Sequence, residues 1–230
     1  MPQLLNPRRQ QLPDHVASYV REMIISGKVR AGDFVRIDPI ADALGISTTP
    51  VREGLLALRS EGFVEMVPRR GFVVAPFSKQ DVRDLFWAQA QLAGELAARA
   101  AKNATAPQIA ELERILHEHQ SAITEGDAQR IAALGHAFHR GINLIACSPR
   151  LAGLLGSVVT NHPNRFYASI EGRLATTQEE HPLLLDALRK HAWKRARTLM
   201  EKHILGGADQ LITELEQLGL WDTGAEAQAV

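Results

Sequence analysis

Residues 45–74 read GISTTPVREGLLALRSEGFVEMVPRRGFVV, and this stretch concentrates side chains suited to reading a nucleic acid. Arg52 follows Pro50 by two residues, Arg59 lies seven residues further on, and Arg69, Arg70 and Gly71 complete the tetrapeptide PRRG. A guanidinium can donate a bidentate pair to guanine O6 and N7, worth about 1–3 kcal/mol of discrimination. Arg52 is the candidate for that contact. Thr48 and Thr49 can bond phosphate or base, and Ser47 opens the same segment. Arg69 and Arg70 would project toward the phosphate backbone or a narrow minor groove, where arginine is electrostatically favoured. Gly71 would let the turn approach closely. The competing reading of Arg52 and Arg59 is that they only solvate a helix face.

These side chains need elements to hold them. Val16, Val20, Met23 and Ile24 fall at helical spacing in residues 12–26, and Gly27 suits a helix stop. Lys28–Val35 is a loop leading to a short extended piece. Asp38 then Pro39 predicts an Asx N-cap with proline at the first helical position of a short helix that ends before Gly45. Ser47 is an N-cap for the next helix, whose first turn tolerates Pro50. Val51, Leu55 and Leu58 form its apolar stripe, and Arg52 and Arg59 share another face. FVEMV and FVVA read as strands around the PRRG turn. Three helices and a two-stranded hairpin make a winged helix-turn-helix. In that motif the second helix of the pair enters the major groove, N-terminal residues first.

The segment STTPVREGLLALRSEGFVEMVPRRGFVV resembles the signature of the GntR family, over roughly residues 12–76. Two positions depart from the pattern. Thr48 replaces a frequent arginine, and Gly54 replaces the usual alanine, a change that costs up to ~1 kcal/mol of helix stability. The resemblance implies a transcription factor bound as a homodimer to a pseudo-palindromic site in double-stranded DNA.

Beyond Pro76 no convincing strand appears. Amphipathic segments run over about 78–102, 106–125, 127–146, 149–171, 176–190 and 192–218, with breaks at Asn103–Pro107, Gly126, Ser148–Pro149, Gly172 and around His191. The expected fold is therefore mainly α: a flexible tail at 1–11, a winged helix-turn-helix at 12–76, an all-helical bundle of about six helices at 78–221 and a flexible tail at 222–230.

AFHRGINLIACSPRL, EEHPLLLDAL and ARTLMEKHI resemble, in order and spacing, the FadR-type subfamily with its helical FCD effector domain. The resemblance implies a small carboxylate-type effector bound in the bundle. It also implies a divalent metal held by three histidines and an aspartate. The histidines fall on His139, His181 and His203, each among apolar neighbours, and imidazole suits zinc, nickel, cobalt or manganese. The aspartate position is Gly135. His136, solvent or the effector's own carboxylate could take its place. An Arg-x-x-x-Glu pair frequent in the subfamily is Gln89 and Ala93 here. Gln89 remains an effector-binding candidate, with Arg165 or Arg173 as a carboxylate clamp. His117 and His119, two apart on one helix, face different ways. Cys147 is expected to pack as a small apolar residue.

Composition bounds the alternatives. The 230 residues are 45% hydrophobic and 23% charged, with no net charge. Residues 1–76 hold 10 Lys+Arg against 8 Asp+Glu, leaving 16 against 18 for the remainder, so DNA affinity must come from where charges point. No apolar run approaches the ~18–20 residues of a membrane span, and no signal peptide is recognisable. A lone cysteine, Cys147, suits a reducing cytoplasm. The competing function is a metal-dependent enzyme with an appended DNA-binding domain. Three histidines and an open position would serve a catalytic zinc, but there is no HExxH helix and no evident general base.

Overall fold

The computed structural model describes residues 7–160, 175–217 and 221. Its contacts divide the chain into two compact units, residues 1–79 with 213–230, and residues 80–212.

The first unit begins with α1 (Pro7–Ile25), followed by β1 (Phe34–Val35), α2 (Ile37–Leu44), α3 (Thr48–Ser60), β2 (Val64–Val67) and β3 (Gly71–Val74). The helix therefore reaches back into the expected N-terminal tail. Proline is at home at its first position, where no intrahelical N–H partner is lost. Val16, Val20 and Ile24 of α1 pack with Val51, Leu55 and Leu58 of α3, all almost wholly buried. The apolar spacing seen in the sequence is thus the core seam.

Gly54 lies on that seam. A Cβ there would fall 2.7 Å from the Pro13 carbonyl oxygen and 2.8 Å from Val16 Cβ. The glycine is what lets the two helices approach. Arg21, also buried, pairs with Glu61 at the end of α3 and lies 5.3 Å over the Phe63 ring.

Two local expectations are corrected. The α2 helix starts at Ile37 with Arg36 as its N-cap residue (φ −90°, ψ 131°), so Asp38 sits inside the first turn and is not the cap. Its carboxylate lies near the positive end of the helix, which favours it there. The wing is also three-stranded, in the order β1-β3-β2. The extended piece before α2 pairs antiparallel with β3, Phe34 opposite Val73, while β2 meets β3 from Val64–Val74 to Val67–Gly71. In the turn between them Arg69 has φ 62° and Gly71 φ 102°. The second value lies where side chains are strained, so glycine is needed for backbone conformation.

The second unit is helical: α4 (Lys79–Asn103), α5 (Ala106–Glu125), α6 (Ala128–Ile145), α7 (Pro149–Thr160), α8 (Ala175–Arg189) and α9 (Trp193–Gln217). The outermost residues of α4 and α9 fall in the first unit. There Lys79 pairs with Glu216, and Trp221 Nε1 donates to the Phe77 carbonyl at 2.7 Å. Local signals explain the breaks. A Thr105–Gln108 capping box opens α5, Gly126 closes it in the left-handed conformation, and Asp127 accepts from the Arg130 N–H to open α6. The core holds Leu96, Leu112, Phe138, Ile142, Leu184, Leu188 and Met200. Cys147 is exposed, contrary to expectation, because it sits past the end of α6 with φ 51°. The outer part of the 149–171 segment and the break at Gly172 lie outside the described residues. Among the described residues no helix is long and apolar enough to cross a membrane.

Candidate functional site

In the first unit the side chains singled out for DNA stand on the surface. Ser47 has the extended backbone of an N-cap (φ −74°, ψ 164°) but makes no side-chain capping bond. Thr48, Thr49 and Arg52 are exposed on the first turns of α3. Arg59 is exposed in its last turn, where Nη1 lies 3.8 Å from Met66 Sδ on β2. It thus lies at the other end of the helix from Thr48 and Thr49. Arg69, Arg70 and Gly71 are exposed in the wing turn, closed by the Arg70 N–H donating to the Val67 carbonyl at 3.0 Å.

In the second unit α6, α8 and α9 each deliver one histidine to a common point. His181 Nε2 is 3.4 Å from His203 Nε2, and His203 Nε2 is 3.2 Å from His139 Nε2. One ligand atom from each lies within 4.8 Å of the others. His181 is 1% exposed and His203 9%. A tetrahedral ion with bonds of about 2.0–2.1 Å to imidazole nitrogen separates its ligand nitrogens by roughly 3.3 Å. The 3.2 and 3.4 Å separations about His203 fit such an ion, while the full set of three is held only to within 4.8 Å.

The side of His203 away from this point is held by a carboxylate, Nδ1 lying 3.0 Å from Glu180 Oε2. In the tautomer that donates Nδ1–H to Glu180, His203 would present its Nε2 lone pair to the other two rings. A carboxylate behind a ligating histidine fixes its tautomer and raises its basicity. Lys202 Nζ, 3.5 Å from Glu180 Oε1, compensates that charge. Glu180 adjoins His181 in sequence, yet its contact is with His203 on another helix, a pairing invisible in the sequence.

Gly135 is buried on α6 and brings no donor to the cluster. His136 is exposed and stays outside the three-nitrogen set, yet it lines a cavity of about 330 Å³ that His139 also lines. Gln89 and Ala93 contribute to that cavity from α4, Leu155 and Val159 from α7, and Met200 and Ile204 from α9. Arg140 and Asn143 line it as well. Sequence reasoning missed both. Their spacing from His136, four and seven residues, puts all three on one helical face, a signal that was available. Arg165 and Arg173, the clamps expected from sequence, lie outside the described residues. His119 is 4% exposed, with its ring centroid 6.0 Å from that of His181. It therefore sits beside the cluster, while His117 does not.

The family profile described as "FCD domain" matches residues 84–206, and that of "Bacterial regulatory proteins, gntR family" matches residues 12–74. The chain belongs to the GntR family and carries an FCD domain. Two uncharacterised HTH-type transcriptional regulators of Mycobacterium tuberculosis are each 25% identical to it over 158 residues, 69% of this chain and 64% of theirs. The match thus spans less than two thirds of those relatives. The HTH-type transcriptional regulator McbR of Escherichia coli is 28% identical over 178 residues, covering 76% of this chain and 80% of McbR. A solved structure of E. coli McbR/YncC has the same fold, with TM-score 0.61 and 24% identity over 90% of this chain and 97% of that one. These relatives are named as regulators, which sets aside the enzyme reading.

Proposed function

We propose that the chain is a transcriptional repressor whose grip on DNA is set by a small organic acid bound in its helical domain. In this reading residues 12–76 bind double-stranded DNA, residues 78–221 bind the effector and pair two copies, and the protein works in the cytoplasm. The α3 helix enters the major groove. Arg52 reads a base edge, Ser47, Thr48 and Thr49 meet base or phosphate, and Arg59, Arg69, Arg70 and Gly71 lie along the backbone and minor groove. A two-fold dimer implies a pseudo-palindromic operator. Occupying that operator would exclude transcription from it.

The observation that carries the effector half is the convergence of three histidine Nε2 atoms, one of them on His139, which also lines the cavity together with Gln89 and Arg140. His139, His181 and His203 would hold one divalent ion, zinc, nickel, cobalt or manganese. Such an ion would act as a Lewis-acidic anchor for an anionic oxygen. Glu180 orients His203. Gly135 leaves the fourth direction to solvent or to the effector's carboxylate. Arg140 can clamp a carboxylate from the cavity wall, the role sought earlier for Arg165, with Gln89 supplying a neutral amide. The effector alters DNA affinity only by binding more tightly to one arrangement of the dimer than to another.

Elemental analysis by mass spectrometry of the tag-free protein, with His139→Ala beside it, tests this. One equivalent of a transition metal, lost in the variant, is expected. No metal even after incubation with zinc, nickel and manganese would end the metal reading and leave the histidines as hydrogen-bonding groups.

A further inference from the structure

A second concave surface lies in the first unit, on the other side of the wing turn from β2. It is an open groove of about 560 Å³ formed by β1, the start of α2 and the beginning of β3. Arg36 and Arg70 are its two cationic residues, Asp38 its one anion, and Gly71 part of its rim. Both arginines are exposed, and neither pairs with a carboxylate among the described residues. Arg36 is fixed at its base: the residue before it, Val35, is 7% exposed and paired with Phe72. Gly71 has no atom within 4 Å of where a Cβ would stand, so the rim is open to close approach. The groove exists because β1 joins the sheet, the pairing that the sequence did not reveal.

We propose that this groove seats one backbone phosphate of bound duplex DNA between Arg36 and Arg70. The inference rests on the DNA-binding reading above and adds to it a residue, Arg36, and a ligand, a single phosphodiester. Guanidinium groups suit that ligand because their planar donor forks match phosphate oxygens. The groove lies beside a turn already carrying Arg69, so a phosphate there is continuous with a strand tracked by the wing. Asp38 opposes the phosphate and moderates its affinity.

The test uses the full-length protein and a random-sequence 30-base-pair duplex, with anisotropy followed across a potassium chloride series. Each phosphate neutralised contributes about 0.9 to the slope of log K against log[salt]. Arg36→Ala with Arg70→Ala is expected to flatten the slope by about 0.9 for each protomer, and Arg36→Ala alone to flatten it by part of that and to weaken binding at low salt. Asp38→Asn should strengthen binding. Arg114→Ala is the control, since Arg114 is exposed on α5 and held between Glu111 and Glu118. A slope unchanged by Arg36→Ala overturns the proposal, as does an equal flattening by Arg114→Ala. Thermal melting that matches the wild type establishes that Arg36→Ala is folded; should it not, Arg36→Gln carries the same expectations. Wild-type protein without salt-dependent binding would instead defeat the DNA-binding reading itself.

Discussion

Replacing Gly54 by alanine sets two measurable effects against each other. Alanine is the better helix former by about 0.8–1.0 kcal/mol, so propensity alone forecasts a more stable protein. The packing forecasts the opposite. The new methyl would lie 2.7 Å from the Pro13 carbonyl oxygen and 2.8 Å from both Val16 Cβ and Val16 Cγ1. Comfortable contacts between such atoms need roughly 3.5–4.0 Å, so α1 and α3 must separate by several tenths of an ångström or more. Two of the three atoms are a backbone oxygen and a Cβ, which cannot rotate away. Overpacking of this kind costs typically 1–3 kcal/mol, and the immobile neighbours put Gly54→Ala toward the upper end. The net loss is about 1–2 kcal/mol, or roughly 5–15 °C in the melting of a unit this size. Differential scanning calorimetry of the full chain resolves it, provided the transition of the first unit is separated from that of the helical unit. A melting temperature equal to or above the wild type would refute the packing argument and return the position to propensity.

Two further substitutions probe the proposed roles. Arg52→Ala should cost about 1–3 kcal/mol on an operator selected from a random pool and much less on random duplex, measured by anisotropy on both; equal losses would remove its base-reading role. Glu180→Gln keeps the size of the side chain but weakens its acceptor for His203 Nδ1–H, so metal affinity by competition with a chromophoric chelator should fall about 10–100-fold; unchanged affinity would make the Glu180–His203 contact incidental.

The DNA-reading half of this chain was legible because its information is local. Pro50 and Ser47 mark a helix start, Val51, Leu55 and Leu58 mark its buried stripe, and PRRG marks a turn, all within about thirty residues. What escaped was non-local. β1 is two residues long, and nothing in Phe34–Val35 announces a partner almost forty residues away. Gly54 read as a weak point within its own helix. Only the nearness of Pro13 and Val16 on α1 turns it into a requirement.

The histidine cluster shows the same limit more sharply. Glu180 and His181 are adjacent in sequence, yet consecutive helical residues point about 100° apart. His181 therefore joins the cluster directly, while Glu180 reaches it only through His203 on α9. No spacing rule could have paired residues 139, 181 and 203, which come from separate helices; their grouping came from the family resemblance. The absence of an acid at Gly135 has a consequence on the proposed reading. With three nitrogens supplied by the protein, the remaining direction falls to whatever enters from solvent or the cavity. If an effector carboxylate takes it, metal and effector each tighten the other by the same factor, as linkage demands. An anchor built this way is complete only when the small molecule is present, so the loss of one protein ligand would join metal binding to effector sensing.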